Sequence, residues 1–395
     1  QGFQVSKLSA GLARLMKRRE AVTVSVRRAL TGEQLAACSL CPTDPIQALH
    51  NEAVRVVQEP HAEVQLVHGS QLLLGNETLV SAGLCQGDEA DEVPAVDVLC
   101  RPRLIVTGSA DSTAKVWSAA SAGPLKTLKG HVGSVNSARF LPASRSILTS
   151  SWDRSVRVWD VESGCCICVL RGHKDSVLSA SVSPDGQRIV SASCDRAAKV
   201  WDLNSGECEL TLTEHRGGIN WVEFSPDGMS VLTASSDQTA KLWSLQGGRC
   251  SRTLSGHRQS VNAATFSADG TSIATASSDC TARLWNAGTG ACVWTNCDHQ
   301  NIVSSVACSA DGLCILTGSW DCSARAIGVG PGAPATTFPH GEALVTAVAF
   351  SADGRLIATG ASDSVVRLWD MSSAAPLSTL AGHSGAVRSV AFASE

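Results

Sequence analysis

From residue 101 onward, short apolar runs alternate with turn residues along the chain. The runs SVLSASV, RIVSAS, AAKVWD and CELTLTEH, for example, follow one another with turn residues between them. Short runs rich in β-branched residues and bounded by turn residues predict β-strands. The segments SPDG at 183–186 and 225–228 predict tight hairpin turns, because Pro presets φ and Gly accepts a positive φ. The pattern therefore predicts units of four short strands.

The four-strand pattern repeats with a period of 42 residues. Acidic residues mark the repeat at Asp111, Asp153, Asp195, Asp237, Asp279, Asp321 and Asp363. Tryptophans follow the same step at Trp117, Trp159, Trp201, Trp243, Trp285 and Trp369, with Ile327 in the remaining place. Histidines recur at almost the same step, at His131, His173, His215, His257, His299, His340 and His383. Seven such units account for residues 101–395.

A single four-stranded unit cannot bury both of its faces, whereas several units arranged radially cover one another. The spacing and residue types resemble those of the WD-repeat β-propeller family. The resemblance implies a mainly β fold with seven blades, each with strands A to D from the central channel to the rim. The repeats start with a strand B (LIVTGSAD) and end with a strand A (GHSGAVRSVAFASE). We therefore expect the C-terminal strand to pair with the strands of residues 104–127 and close the ring.

The resemblance also implies a role for the repeated polar residues. In the family, a loop His, a hydroxyl on strand B, a turn Asp and a Trp on strand C form a hydrogen-bonded chain in each blade. The expected sets are His131, Thr149, Asp153 and Trp159; His173, Ser191, Asp195 and Trp201; His215, Thr233, Asp237 and Trp243; His257, Thr275, Asp279 and Trp285; and His383, Thr107, Asp111 and Trp117. Two blades depart from the pattern, because the fifth has Ile327 and the sixth has one extra residue before Asp363. We expect these two blades to open more readily than the others.

A hydroxyl, an imidazole and a carboxylate can also form a catalytic triad. One copy would support that interpretation, but an enzyme needs one nucleophile in one pocket, and this set recurs around the whole predicted ring. We therefore interpret the sets as structural. We expect no catalytic residues and no enzyme activity.

Two further tryptophans, Trp152 and Trp320, directly precede the turn Asp of their blades. In WD-repeat proteins this position lies on the top face beside the channel, where an exposed Trp is a strong candidate contact for a partner. The alternative is that Trp152 packs on a neighbouring loop. A second top-face position of the family follows the first apolar residue of strand A. The predicted partner-binding residues are Trp152, Trp320, Arg154, Arg196, Asn136, Leu178, Asn220, Asn262 and Arg388.

The predicted top face is polar, with basic points and two Trp anchors, and this suits a peptide or loop that carries acidic and apolar groups. Two tryptophans remain. Trp221 stands where the other blades carry a small residue, so we expect it either to fill core space or to narrow the channel. Trp294 lies on an outer strand, and we expect it to cover the rim.

Residues 21–100 follow a different pattern, with a predicted hairpin, a helix with Ile46, Leu49 and Ala53 on one face, and further short strands. This order resembles the ubiquitin-like (β-grasp) family, and the matching motifs include those at 30–32, 42–44 and 78–79. The resemblance implies a small α+β domain before the propeller, which offers a surface for a second partner. Leu66 falls on the strand that the family uses for its apolar binding patch.

Residues 1–20 are basic, with Leu8, Leu12 and Leu15 at helical spacing, and predict a short amphipathic segment. The whole chain has a net charge of −4 and 17% charged residues, which is too mild for nucleic acid or an acidic membrane as the main partner. No apolar run is long enough for a membrane-spanning helix.

The 16 cysteines are scattered and do not form a short secreted framework, which favours free thiols in the cytoplasm or nucleus. Cys38 and Cys41 lie on a predicted strand, where residues i and i+3 face opposite sides, so we expect no metal site there. No phosphate-binding glycine motif is present, and we expect no cofactor.

These observations favour a non-enzymatic scaffold or adaptor that binds partner proteins or peptides on the top face of the propeller. We expect a monomer that works within a larger complex. Two alternatives remain open. One is a ribosome-assembly factor similar to notchless-like proteins, which share the order of a ubiquitin-like domain and WD repeats but usually have eight blades. The other is a substrate adaptor in ubiquitin-dependent degradation.

Overall fold

The computed structural model describes residues 22–28, 34–40, 46–57, 62–68, 71–73, 95–121, 123–142, 145–330 and 333–393. The chain divides into two compact units, Gln1–Arg103 and Leu104–Glu395. The predicted amphipathic segment 1–20 and the motifs at 30–32, 42–44 and 78–79 lie outside the described residues. Across the described ranges, no helix has the length and apolar character needed to cross a membrane.

The first unit contains a mixed sheet and a helix. Its described elements are β1 Val22–Arg28, β2 Gln34–Leu40, α1 Ile46–Val57, β3 Ala62–His68, β4 Gln71–Leu72 and β5 Ala95–Pro102. The sheet has the order β2-β1-β5-β3-β4, and β1 runs parallel to β5. The apolar residues predicted on one face of α1, Ile46, Leu49 and Ala53, are buried where the helix contacts β2 and β3.

Leu66 on β3 does not belong to an exposed patch. Its side chain is 1% exposed and it pairs with β5, so it contributes to the core of the first unit. The resemblance implies only that Leu66 lies on the strand with the apolar patch of the family, and a position on a strand does not determine which face is buried. In this unit the face that carries Leu66 is the buried one.

The second unit forms seven four-stranded antiparallel sheets, which we number as blades 1 to 7. Blade 1 consists of β9 Val135–Phe140, β10 Ser146–Ser151, β11 Ser155–Asp160 and β12 Cys166–Arg171. Blade 2 consists of β13 Val177–Val182, β14 Arg188–Ser193, β15 Ala198–Asp202 and β16 Cys208–Leu212. Blade 3 consists of β17 Ile219–Phe224, β18 Ser230–Ser235, β19 Thr239–Ser244 and β20 Arg249–Ser255.

Blade 4 consists of β21 Val261–Phe266, β22 Ser272–Ser277, β23 Ala282–Asn286 and β24 Cys292–Asn296. Blade 5 consists of β25 Val303–Cys308, β26 Cys314–Ser319, β27 Ser323–Gly328 and β28 Ala335–Pro339. Blade 6 consists of β29 Val345–Phe350, β30 Leu356–Ala361, β31 Val365–Asp370 and β32 Pro376–Ala381. Blade 7 combines β33 Val387–Phe392 with β6 Leu104–Ser109, β7 Thr113–Ser118 and β8 Pro124–Lys129. In each blade the first strand is strand A of the sequence pattern, and it lies on the inside of the ring.

The ring is closed by the pairing of β33 with β6. Strand A of each blade contacts strand A of the next, and β33 contacts the inner strands of both blade 6 and blade 1. Antiparallel pairing at the join satisfies backbone groups that would otherwise form two open sheet edges. The second unit is therefore a seven-bladed β-propeller.

A hydrophobic cluster lies between each pair of adjacent blades. Six of the seven clusters contain a buried strand C Trp. In the cluster between blades 1 and 2, for example, Trp201 of blade 2 packs against residues of blade 1. The cluster between blades 4 and 5 lacks such a Trp, because Ile327 occupies that position in blade 5. Trp221 and Trp294, the latter on the outer strand β24, pack against this cluster and add apolar volume to it.

Candidate functional site

In blade 1, the loop before β9 and the turn between β10 and β11 meet through His131 and Asp153. His131 donates from Nδ1 to Asp153 Oδ2 over 2.7 Å, and its Nε2 accepts from the Thr149 hydroxyl over 2.8 Å. The Trp159 indole N–H donates to the same hydroxyl oxygen over 2.8 Å. The direction of this chain is fixed, because a carboxylate only accepts and an indole only donates. Every polar atom of the buried set thereby has a partner.

Local electrostatics keep this carboxyl ionised and the imidazole neutral. Burial alone would raise the pKa of Asp153, but hydrogen bonds from Ser155, His131 and the Val132 backbone N–H outweigh it and lower the pKa to about 2. Burial lowers the pKa of His131, and the contact with Asp153 offsets part of that effect. Thr149 is completely buried, so no substrate carbonyl can approach its hydroxyl.

The same hydrogen-bonded chain occurs in blades 2, 3, 4 and 7. Its His–Asp distances are 2.7–2.9 Å and its His–hydroxyl distances are 2.7–2.8 Å. The indole N–H donates to the hydroxyl oxygen over 2.8 Å in each of these blades. The residues are His173, Ser191, Asp195 and Trp201; His215, Thr233, Asp237 and Trp243; His257, Thr275, Asp279 and Trp285; and His383, Thr107, Asp111 and Trp117. In blade 7 the chain joins residues from the two ends of the propeller.

The strand B hydroxyls of all seven blades have one neighbour that the sequence interpretation omitted. Each hydroxyl oxygen, including those of Ser191, Thr233 and Thr275, lies 3.3–3.5 Å from a backbone carbonyl oxygen of the paired strand C. The expected chain gave each hydroxyl only a His and a Trp, so it was incomplete. Ser191, Thr233 and Thr275 are also 0% exposed, and this excludes them from any surface that a partner or substrate could touch. These hydroxyls therefore stabilise the interior of the blade, and the strand C carbonyl is a further contact that is longer than those with His and Trp.

Blades 5 and 6 depart from the common chain in different ways. In blade 5, His299 bonds Asp321 and Thr317, but the hydroxyl receives no indole N–H, because Ile327 replaces Trp. In blade 6, the extra residue turns His340 away from Asp363, and its Nδ1–H donates to the Phe338 carbonyl over 2.9 Å. Asp363 instead pairs with Arg367.

Each turn Asp also fixes the backbone around it. In blade 1, the Ser155 N–H donates to Asp153 Oδ1 over 3.0 Å and the Val132 N–H donates to Asp153 Oδ2 over 3.2 Å. The Trp152 N–H donates to the Ser134 carbonyl over 3.0 Å, which joins the turn to the loop before strand A. The loops before strand A and the turns between strands B and C therefore lie together, and we define the face that bears them as the top face.

Trp152 and Trp320 are exposed on this top face, by 52% and 38% respectively. Arg154 and Arg196, which follow the turn Asp, are exposed as well. Val132 lies in the loop beside Trp152 and is 88% exposed. The structure thus gives blade 1 an apolar surface made of Val132 and Trp152, although the side chain of Trp152 is also partly covered.

The second set of predicted contacts lies at β-bulges on strand A. In each blade the residue after the first apolar residue is skipped in the pairing with strand B, as Leu178 is between Val177 and Ser179. Three of these residues, Asn136, Asn220 and Asn262, donate from their amide nitrogens to the backbone carbonyls of Val177, Val261 and Val303 in the next blade, over 2.8–2.9 Å. Their amide N–H groups therefore connect neighbouring blades, while Leu178 and Arg388 make no such bond in the described structure.

The bulge residues also line a cavity of about 260 Å³ at the top of the central channel. Trp221, Trp320 and Arg388 contribute to its wall. The Arg139 guanidinium of blade 1 stacks on the Trp221 ring of blade 3 at 4.8 Å. Trp221 also packs against the hydrophobic clusters between blades 3 and 4 and between blades 4 and 5, so it contributes both to the core and to the wall of the cavity.

Glu223, two residues after Trp221 on the same strand, is half-buried. Burial raises its pKa, and Arg139, the Thr265 hydroxyl and Trp221 offset part of the rise. Thr265 donates to Glu223 Oε1 over 3.4 Å. Sequence reasoning missed this pair of charges, since Arg139 and Glu223 lie 84 residues and two blades apart. No group of three or more His, Cys, Asp or Glu side chains in the described part of the chain could hold a metal ion.

Comparisons with known proteins agree with this architecture. Residues 145–325 match the family model described as the IFT122 first beta-propeller. Residues 82–118, 122–160 and 332–370 match the model described as WD domain, G-beta repeat. The chain carries WD40 repeats, and they form a seven-bladed propeller. No curated protein matches the chain.

WD40 propellers typically serve as protein-interaction scaffolds, and they generally bind proteins or peptides. In this WD40 propeller, the sequence-predicted residues of the top face fall into two groups. Trp152, Trp320, Arg154, Arg196 and Arg388 are exposed. The three asparagines and Leu178 are half-buried around the mouth of the channel. Val132 was not predicted, although its place directly after the loop His of a repeat could have indicated it.

Proposed function

We propose that this protein is a non-enzymatic scaffold that binds partner proteins or peptides on the top face of its WD40 propeller. The observation that supports the proposal most directly is the exposure of Trp152 and Trp320 on that face. The strand C tryptophans are buried, with exposures of 0–4%. A large aromatic side chain left in water gains most when a partner covers it, and Trp is enriched among residues that dominate binding energy.

The polar sets support the non-enzymatic part of the proposal. Each hydroxyl of blades 1 to 4 and 7 accepts from an indole N–H and lies against a histidine nitrogen, so its hydrogen-bonding capacity is used within the blade. The five residues that bear these hydroxyls are all completely buried: Thr149, Ser191, Thr233, Thr275 and Thr107. A catalytic nucleophile needs access to its substrate, and these groups have none.

The test is affinity purification from cells with quantitative mass spectrometry. The double variant Trp152→Ala/Trp320→Ala should lose partners that the wild type retains. The matched control is Met229→Ala/Leu313→Ala, which removes two apolar side chains, 59% and 69% exposed, next to the A–B turns on the opposite face. The proposal fails if the Trp variant keeps every partner, or if the control loses the same ones.

We further propose that the first unit is a ubiquitin-like domain that binds a second partner. The chain order of hairpin β1–β2, helix α1, then β3, β4 and β5 supports this proposal. Leu49→Asp/Ala53→Asp should disrupt the first unit, because both side chains are fully buried on α1. Tryptophan fluorescence of the propeller should not change, since all ten Trp lie in the second unit. Partners that this variant loses and the Trp152/Trp320 variant keeps would bind the first unit; if there are none, the proposed second partner is refuted.

We propose a cytoplasmic or nuclear location, within a larger complex. Free and exposed thiols such as those of Cys165 and Cys194 suit a reducing compartment. Microscopy of the tagged protein tests the location. The identity of the partners distinguishes a general scaffold from an assembly factor for ribosomal precursors or from an adaptor for a ubiquitin ligase.

A further inference from the structure

Two positions on the top face recur in every blade. One comes directly after the loop His and the other directly after the turn Asp. In blades 1 to 4 these positions carry five cations, and we name them the basic arc: Arg154, Lys174, Arg196, Arg216 and Arg258. The same two positions in blades 5 to 7 carry no cation; they hold Gln300, Cys322, Gly341, Ser364, Ser384 and Ser112. The basic arc is therefore confined to four consecutive blades.

The side chains of the basic arc are exposed and available. All five residues are exposed, and none forms an ion pair with another described residue. Their backbones, in contrast, are held in place. The Lys174, Arg216 and Arg258 N–H groups donate to the turn Asp of their own blades over 2.8–3.0 Å. A partner would thus order flexible side chains but no backbone, which keeps the entropic cost of binding low.

Negative charge is distributed differently on this face. Within the sector of the basic arc, the exposed acidic residues are Asp175 and Glu214, against five cations. In the following blades the exposed charges of the loops before strand A are acidic, Asp298 in blade 5 and Glu342 in blade 6. The turn Asp carboxylates lie beneath the surface, with side chains only 6–12% exposed in blades 1 to 4, and they accept hydrogen bonds from their own blade. Arg388 of blade 7, in the wall of the cavity, is a further exposed cation of the top face. The exposed charge of the loops and turns is therefore basic in blades 1 to 4 and acidic in blades 5 and 6.

Each end of the basic arc has an apolar contact. Val132 and Trp152 lie beside Arg154 in blade 1, and Trp320 lies in blade 5, directly after the blade that carries Arg258. The loop and the turn are in close contact, since a Cβ added at Gly133 would come within 3.0 Å of the Trp152 Cβ. The surface thus has an apolar end, a run of cations and a second apolar end.

We infer that the basic arc and its two apolar ends form a docking track for an extended acidic polypeptide segment, with carboxylate or phosphate groups in its centre and a large apolar residue near each end. The inference rests on the proposed function and specifies the partner chemistry. Several exposed guanidinium groups attract carboxylates or phosphates and orient them, while the Trp side chains contribute buried apolar area.

A polypeptide fits this surface better than a nucleic acid does. Single-stranded nucleic acids are bound by aromatic side chains interleaved with cations, so that successive bases stack. In the basic arc the aromatic side chains stand only at the two ends, and Asp175 and Glu214 interrupt the cations. The net charge of −4 for the chain also opposes a long polyanion more than it opposes a short acidic segment.

The test uses fluorescence anisotropy with the full chain and labelled peptides of about 15 residues, long enough to span ~50 Å when extended. The probe peptide has a Glu-rich centre and a Leu near each end. A second peptide carries phosphoserine in place of Glu, a third carries Gln, and a fourth has Ala in place of both Leu residues. A single-stranded oligonucleotide of mixed sequence is the nucleic-acid probe.

The variant Arg196→Gln/Arg216→Gln/Arg258→Gln removes three cations of the basic arc. Its matched control, Arg145→Gln/Arg188→Gln/Arg249→Gln, removes three from the edge of the propeller at the opposite face. We expect the basic-arc variant to weaken binding of the Glu peptide by about 10-fold, and the control by less than about 2-fold. Binding should weaken with added salt, the Gln peptide should not bind, and the Ala peptide should bind less tightly. The ratio of the Glu and phosphoserine affinities identifies which anion the track prefers.

The inference is overturned if neither anionic peptide binds the wild type, if the Gln peptide binds equally well, if the two triple variants behave alike, or if the oligonucleotide binds more tightly than the peptides. These outcomes are separate from failure of the proposed function. If Trp152→Ala/Trp320→Ala loses cellular partners while the basic-arc variant keeps them all, the scaffold remains and the acidic track is refuted.

Discussion

The hydrogen-bonded sets allow a quantitative test, because blade 5 lacks one member. In blade 1 the Thr149 hydroxyl serves two buried groups, the Trp159 indole N–H and the His131 Nε2. In blade 5 the Thr317 hydroxyl donates to the His299 Nε2 but accepts from no indole N–H, since Ile327 replaces Trp. The longer contact of the hydroxyl with a strand C carbonyl is common to both blades. Substitution of each Thr by Val keeps the shape of the side chain and removes the hydroxyl. The two variants then differ by one orphaned indole N–H.

A buried polar group left without a partner costs about 1–3 kcal/mol. Thr149→Val leaves two such groups in a site where Thr149 is 0% and Trp159 2% exposed. We therefore expect it to lower the free energy of unfolding by about 2–5 kcal/mol, twice the penalty for one group allowing for local relaxation. Thr317→Val leaves one group and should cost about 1–3 kcal/mol.

The assay is equilibrium unfolding in urea followed by tryptophan fluorescence. All ten Trp lie in the Leu104–Glu395 unit, so the signal reports on the propeller and not on the first unit. The free energy difference follows from the shift in midpoint multiplied by the slope of the transition. Superimposable circular dichroism spectra under native conditions would establish that both variants keep the fold.

The reasoning is refuted if Thr317→Val costs as much as Thr149→Val or more. It is also refuted if Thr149→Val costs less than about 1 kcal/mol, since the set would then not be a tightly satisfied buried network. A combined Thr149→Val/Trp159→Phe variant provides an internal check. It removes both the hydroxyl and the indole N–H, so its cost should be less than the sum of the two single substitutions.

Three further predictions concern charge, closure and pH. Asp153→Asn should lower the free energy of unfolding by about 2–3 kcal/mol, because the Asp153 carboxylate accepts a hydrogen bond from the buried His131. Asp363→Asn should lower it by at most about 1 kcal/mol, because the partner of Asp363 is the partly exposed Arg367. Equal urea midpoints for the two variants would contradict this prediction. Deletion of β33 should lower the thermal midpoint well below the wild-type value, since it leaves β6 unpaired, and an unchanged melting curve would exclude the closure by β33. Burial lowers the pKa of all seven loop histidines, so the unfolded chain binds more protons than the folded one below about pH 6.5. Stability should therefore be highest above that pH and fall as the pH drops, by up to about 1.4 kcal/mol per pH unit for each histidine, and a urea midpoint that is the same at pH 5 and pH 7.5 would contradict the assignment.

Much of the propeller could be predicted from the sequence because its elements are local. A strand of six residues, its turn and its Asp lie within one repeat, so the period of 42 residues places them all at once. The sets of blades 1 to 4 and 7 have the members that the repeat indicates. The pairing of β33 with β6 also follows from the repeat. The first repeat has strands B, C and D but no strand A, and the last strand of the chain is a strand A without a blade, so pairing the two completes one blade.

Contacts between blades could not be predicted in the same way. The Asn136 side-chain amide donates to the Val177 carbonyl, 41 residues away. This bond depends on the β-bulge in strand A and on the position of that strand relative to strand A of the next blade, and neither is visible in the local sequence pattern. The stacking of Arg139 on Trp221 crosses an intervening blade. His340 turns to the Phe338 carbonyl because of one extra residue, and the geometry of that loop decides where the imidazole donates. In each case the deciding quantity is a distance across the ring or along a loop.

The split construction of blade 7 has a consequence for the order of events during synthesis. Thr107 and His383, which are hydrogen-bonded in the finished blade, lie 276 residues apart in the chain. While the ribosome is still making the later repeats, β6 keeps one edge unoccupied, and the nascent ring has no neighbour at either side. Loop closure over such a separation is entropically expensive and slow, so maturation of the whole propeller depends on its latest-made strand. Until β33 is made, the open edge of β6 stays exposed to incorrect pairing for longer than an edge would in a fold built from nearby contacts.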